Sequence, residues 1–170
     1  LGSANFGAKY GLFNKKNSRN SISKIINFAE KKGINSIDTA ILYKNSEKII
    51  GDIKRKKNWN IITKIPDIPN KVISLEKWML NKTNRSIKNL KVDHLEGLLL
   101  HNSDILLEKR GDKVYKCLLT LKKKGLVKKI GVSIYDFKQL SKIIKKYNLD
   151  IVQLPFNLID RRLLKKNFRE

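Results

Sequence analysis

A single cysteine, Cys117, stands alone in these 170 residues. One thiol can form neither an internal disulfide nor a cysteine metal site, so no metal is expected and the chain suits a reducing cytoplasm. Long apolar runs are also missing. None approaches the ~18 residues that a bilayer-spanning helix needs, which excludes a membrane helix and a membrane partner of that kind. The chain opens at Leu1, inside an apolar, glycine-containing stretch, and nothing there reads as a targeting signal. Acidic residues are few: 15 against 38 Lys and Arg, a net charge of +23. Such an excess invites a nucleic-acid reading. Yet arginine, the better reader of bases and phosphates, is scarce, and no recognition motif accompanies the charge. Lysines run from Lys9 to Lys166 along the polar faces of predicted helices rather than in one stripe. The expectation is a solvated surface and no nucleic-acid partner, with heavy use of Lys, Asn and Ile reflecting an A/T-rich coding bias.

What is present is globular: 41% hydrophobic and 31% charged, enough for one domain with a core over residues 1–170. Short β-like runs alternate with longer amphipathic segments. Strands are predicted at 1–6, 34–39, 60–65, 95–101, 129–134 and 150–154. Helices are predicted at 21–32, 46–57, 74–90, 113–124 and 137–147, with the first turn of another from about residue 160. In the first helix Ile22, Ile25, Ile26 and Ala29 share a face and Gly33 is the stop. In the second, Glu47 sits in the first turn, where the helix dipole favours an acid. Ser74 is placed to cap the third. Pro66 and Pro69 punctuate the loop before it. Strands alternating with helices imply a parallel sheet, and the near-continuous apolar run around Leu98–Leu100 fits burial on both faces.

About six βα units are counted. An open doubly wound sheet would carry a G-x-G-x-x-G turn after its first strand, whereas the glycines here fall at positions 2, 7 and 11. The preferred fold is therefore α/β: a parallel (β/α)8 TIM barrel, incomplete, ending about two units before the eight needed for closure. In such a barrel the active site lies where strands end. Asp38, Tyr43, Lys64 and His101 all fall on that rim. Taken singly, each has a structural explanation: a solvated strand-end lysine, a satisfied histidine, a packed loop tyrosine. Their joint order over three successive units favours chemistry. Cys117, beside Leu118 and Leu121, reads as core, His94 as an exposed turn residue, and Trp59 and Trp78 as packing groups.

Several stretches together resemble the aldo-keto reductases, a bacterial branch of that family in particular. They are residues 1–7 (LGSANFG), 33–43 (GINSIDTAILY), 62–64 (ITK), 98–101 (LLLH) and 130–133 (IGVS). The element from Ile37 and Asp38 to Tyr43 is highly specific. The resemblance implies an NADPH (NADP+)-dependent oxidoreductase acting on a small-molecule aldehyde, ketone or sugar carbonyl. By the same resemblance Tyr43 is the proton donor, Lys64 the cation that eases its ionisation, Asp38 the carboxylate holding that lysine, and His101 the group orienting the carbonyl. Ser133 and Gln153 match positions that bind the nicotinamide carboxamide, with Asp38 also at the cofactor. Two departures stand out: Lys44 replaces the usual glycine after the tyrosine, and Ile134 replaces a frequent asparagine after Ser133. The family's seventh and eighth units, which grip the rest of the cofactor, have no counterpart here, so the chain itself is expected to be an inactive fragment. The rival reading is a non-catalytic, family-like cofactor-binding or scaffold protein; an intact tetrad speaks against it, because a binder needs no proton donor. A basic nucleic-acid binder is a more distant rival. Substrate, direction and oligomeric state are not legible.

Overall fold

The computed structural model describes residues 1–7, 17–53 and 59–161. Helix α1 (Arg19–Lys31) starts where the Ser18 hydroxyl accepts the Ser21 N–H, and buries Ile22, Ile26 and Ala29 at i, i+4 and i+7. Ile25, expected on that face, lies toward solvent. Gly33, at φ 79°, ends the helix in the left-handed conformation that only glycine adopts without strain. Strand β1 (Ser36–Asp38) follows, then α2 (Ser46–Ile53) and β2 (Asn60–Ile65). The predicted continuation of α2 to residue 57 lies outside the described residues. Helix α3 (Leu75–Leu90) is capped by Ser74, whose hydroxyl accepts the Lys77 N–H. Next come β3 (Leu95–Leu100), a short 3-10 turn (Asp104–Leu106), α4 (Gly111–Lys123) and β4 (Val127–Ser133). Helix α5 (Phe137–Lys146), capped by the Asp136 carboxylate, leads to β5 (Ile151–Gln153).

The five strands form one sheet in the order β1-β2-β3-β4-β5, every pair parallel. With consecutive strands adjacent and helices between them, the sheet curls as an incomplete (β/α)8 barrel, as the repeated βα pattern implied. The middle strand is nearly dry. Leu95, Leu98, Leu99 and Leu100 of β3 are at most 1% exposed, each such burial contributing about 1.5–3 kcal/mol relative to exposure. On the outer side the helices close over the sheet through Ile50, Met79, Leu90, Val114, Leu118 and Ile143. Cys117 is part of this layer, and burial first, then the Glu76 charge, pushes its thiol above the ordinary value. Trp59 is buried, and Trp78 is half-buried beneath the Lys82 ammonium.

Two further expectations need correction. Residues 1–6 do not form a strand: Gly2 makes one parallel bridge to Asp38, so the six strands counted from the sequence become five and a bridge. The Phe6 N–H bonds the Ser3 carbonyl instead, which turns the chain out of extended geometry. His94 is half-buried rather than exposed. The helix expected from about residue 160 lies, after Arg161, outside the described residues.

Candidate active site

The strand register places the chemistry-bearing side chains at one end of the sheet. Asp38 is the last residue of β1 and pairs with Ile62, one pleat repeat before Lys64 on β2. The β2–β3 ladder runs to Ile65 opposite Leu100 and is continued by the His101 N–H, which donates to the Ile65 carbonyl at 2.9 Å. Ser133 and Gln153 face each other as the last pair of β4 and β5. All these residues therefore lie at the carboxyl ends of parallel strands, where βα loops begin.

Lys64 is the anchor. Its side chain is only 2% exposed, and its Nζ donates to Asp38 Oδ1 at 2.6 Å and to the Thr39 carbonyl at 3.0 Å. A buried ammonium is tolerable only with such partners, and removing one partner of a buried pair typically costs about 3–5 kcal/mol. The same Nζ lies 5.4 Å from the centre of the Tyr43 ring, within cation–π range. Tyr43 stands edge-on to His101, with ring centres 6.1 Å apart at 86°. The imidazole is held below its ordinary value of 6.5, by burial first and the Lys64 charge second, opposed by Asp67 and Asp38.

Tyr43 sits in the short link between β1 and α2, held by its N–H to the Ala40 carbonyl and its carbonyl to the Ser46 N–H, both at 3.0 Å. Gly7 passes so close that a Cβ there would collide with the Tyr43 carbonyl oxygen. Lys44, the residue standing at the resembled glycine position, has φ 51°, in the left-handed region.

Tyr43, Lys64, His101, Ser133 and Gln153 line one open cleft of about 140 Å³, so five of the six residues singled out in the sequence meet at one surface. Asp38 reaches it through Lys64. Ile134, Tyr135, Leu154 and Pro155 complete the walls. Of these, sequence reasoning noted Ile134 only, since nothing but their position after a strand end distinguishes the others. Two buried polar atoms of lining residues, His101 Nδ1 and Gln153 Oε1, have no hydrogen-bond partner among the described residues. Sequence reasoning also placed Glu47 merely at a helix start. It is in fact buried, accepting the Thr63 hydroxyl at 2.8 Å and the Asn89 amide at 3.3 Å.

A model of the Aldo/keto reductase family matches residues 1–170. The chain is 27% identical over 154 residues to the oxidoreductase YqkF of Bacillus subtilis, a match covering 85% of this chain and 50% of that protein. A crystal structure of PA4992 from Pseudomonas aeruginosa, assigned to the aldo-keto reductases, superposes with a TM-score of 0.77 at 27% identity, over 95% of this chain and 64% of that one. The holo form of AKR11C1 from Bacillus halodurans shares the fold, with a TM-score of 0.76 at 19% identity over 96% of this chain and 54% of its own. The chain thus spans about half the length of the curated relative it matches, and less than two thirds of these structures.

Proposed function

The chain belongs to the Aldo/keto reductase family, and from that premise we propose that its site transfers hydride between NADPH and an aldehyde, ketone or sugar carbonyl, with Tyr43 as proton donor. The observation that carries this reading is the buried Lys64 ammonium, paired with Asp38 and set against the Tyr43 ring, in a cleft shared with His101.

The chemistry follows from those placements. A phenol ordinarily ionises near pH ~10 and gives up its proton reluctantly at neutral pH. A fixed cation beside it favours the phenolate that proton donation leaves behind. Lys64 supplies that charge, and Asp38 holds the ammonium in place. Burial keeps His101 neutral near pH 7, so it offers one N–H to orient a carbonyl oxygen toward Tyr43. Ser133 and the unpartnered Gln153 Oε1 suit the donor and acceptor groups of a nicotinamide carboxamide. The bound nicotinamide supplies the hydride. The choice of NADP over NAD rests on the family alone, and the cytoplasmic assignment on the family and the lone cysteine. No described helix is long and apolar enough to cross a membrane.

The test is NADPH-dependent aldehyde reduction by the native protein. Tyr43→Phe is expected to lower kcat about 10²–10⁴-fold, the usual contribution of a general acid, while NADPH affinity stays near that of the wild type. A Tyr43→Phe protein that keeps most of its kcat removes the assignment.

A further inference from the structure

Glu47 is a buried carboxyl group that the proposed chemistry does not use. It is 4% exposed and forms no ion pair among the described residues. Placing a carboxyl group in such a site is costly unless hydrogen bonds compensate. Its two partners come from different elements: Thr63 Oγ1 of β2 donates to Oε1 at 2.8 Å, and Asn89 Nδ2 of α3 donates to Oε2 at 3.3 Å. One turn further along α2, Gly51 packs so closely on α3 that a Cβ would meet the Asn89 carbonyl oxygen. The first turn of α2 is thus clamped both to the sheet and to the neighbouring helix.

The place of the clamp gives it a meaning beyond holding helices together. Thr63 and Lys64 are consecutive in β2, so their side chains point to opposite faces of the sheet. Lys64 faces the cleft and Thr63 faces α2. The link carrying Tyr43 is attached to this same two-residue step at both ends: the Ile41 N–H donates to the Lys64 carbonyl at 3.2 Å, and Glu47 takes the Thr63 hydroxyl. Tyr43 lies between these anchors. At Ser46, just before Glu47, the N–H holds the Tyr43 carbonyl, and the buried hydroxyl donates to Ser3 while accepting from the Thr39 hydroxyl.

We propose that Glu47 is a positioning residue: its grip on Thr63 sets the distance of the Tyr43 ring from Lys64. This rests on the function proposed above. The effect is geometric, exerted through the hydrogen bond to Thr63 and not through charge; a glutamine amide can keep a hydrogen bond to that hydroxyl, which donates or accepts, so glutamine serves and alanine does not.

The experiment uses the native protein with Glu47→Ala, Glu47→Gln, Thr63→Val and, as reference, Tyr43→Phe. Glu47→Ala is expected to lower kcat about 10²-fold, the loss that an ångström of misplacement can cause. KM for the aldehyde and NADPH affinity should change little, and the pH–rate profile should shift. Glu47→Gln should restore both kcat and profile. A second readout needs no turnover. The Tyr43 ring resonances are those missing from Tyr43→Phe. They should move and broaden in Glu47→Ala and return to their wild-type positions in Glu47→Gln. Should Glu47→Ala fail to fold, Thr63→Val removes the same hydrogen bond with little change of shape and should perturb the same resonances. Wild-type Tyr43 resonances in the alanine and valine variants, or glutamine behaving like alanine, overturn the proposal. An active Tyr43→Phe overturns the function instead, and the resonances decide the positioning role in either case.

Discussion

Histidine is the side chain whose charge changes nearest neutral pH, so small changes around His101 are measurable. Burial and Lys64 hold it below 6.5, while Asp67 and Asp38 pull the other way. The unfolded chain therefore binds this proton first as pH falls. The stability that His101 contributes is complete above about 6.5 and is lost as pH drops through its lowered folded value. Two substitutions should move that value in opposite directions. Lys64→Met removes a lowering charge and should raise it, though burial, the larger cause, keeps it below the ordinary figure. Asp38→Asn removes a raising charge and should lower it. With two histidines in the chain, the ring C–H titration is easily assigned by proton NMR. Shifts of the same sign in both variants would mean that the ion pair does not set the field at His101. If the proposed function holds, the pH–rate profile should shift in Lys64→Met as well.

Among elements, those with local chemistry were legible and those settled by tertiary contact were not. Ser74 caps α3 where a serine before an amphipathic run was read as a cap. Strand β2 occupies Asn60–Ile65, the predicted range, because Pro66 ends it and its apolar residues are buried. Residues 1–6 carry a strand-like composition, but the turn at Phe6 limits pairing to one bridge. Likewise, Asp38, Tyr43, Lys64 and His101 could be named from order along the chain, whereas the Glu47 clamp needed Thr63 and Asn89 brought together from 16 and 42 residues away. Lys44 links the two levels, since a residue at odds with its family's glycine proves to hold φ 51°. Left-handed geometry costs a non-glycine residue roughly 1–2 kcal/mol, against about 0.5–1 kcal/mol for ordering a glycine. Lys44→Gly should therefore leave stability unchanged or raise it by up to about 1.5 kcal/mol. The same change at Lys48, exposed within α2, should cost about 0.5–1 kcal/mol. Denaturant titrations of both variants compare the two directly, and an equal loss in each would show that Lys44 is not held in that conformation.

On the scale of the whole molecule, an open sheet and a large net charge oppose each other. Strand β5 closes one side of the sheet without a further strand beyond it among the described residues, and at the other side β1 has only the Gly2 bridge. Unpaired strand edges are templates for association. Near β5, Tyr135, Phe156, Leu158 and Ile159 are exposed, an apolar surface of the kind that mediates contacts. Against this stands a net charge of +23, which keeps like molecules apart when little salt is present. The screening length falls from about 30 Å at 0.01 M to about 10 Å at 0.1 M ionic strength, so added salt removes the repulsion while leaving the edges and the apolar surface as they were. The 170-residue chain should accordingly be smallest in dilute buffer and should associate or precipitate as salt rises, the reverse of a complex held by ion pairs. It should also show no NADPH turnover, because an open half-barrel presents only the nicotinamide end of the proposed site. Sedimentation velocity across a salt series, with an NADPH oxidation assay on each sample, tests both expectations. A monomer at every ionic strength, melting cooperatively and reducing aldehydes, would mean that five strands suffice for a stable and complete active site.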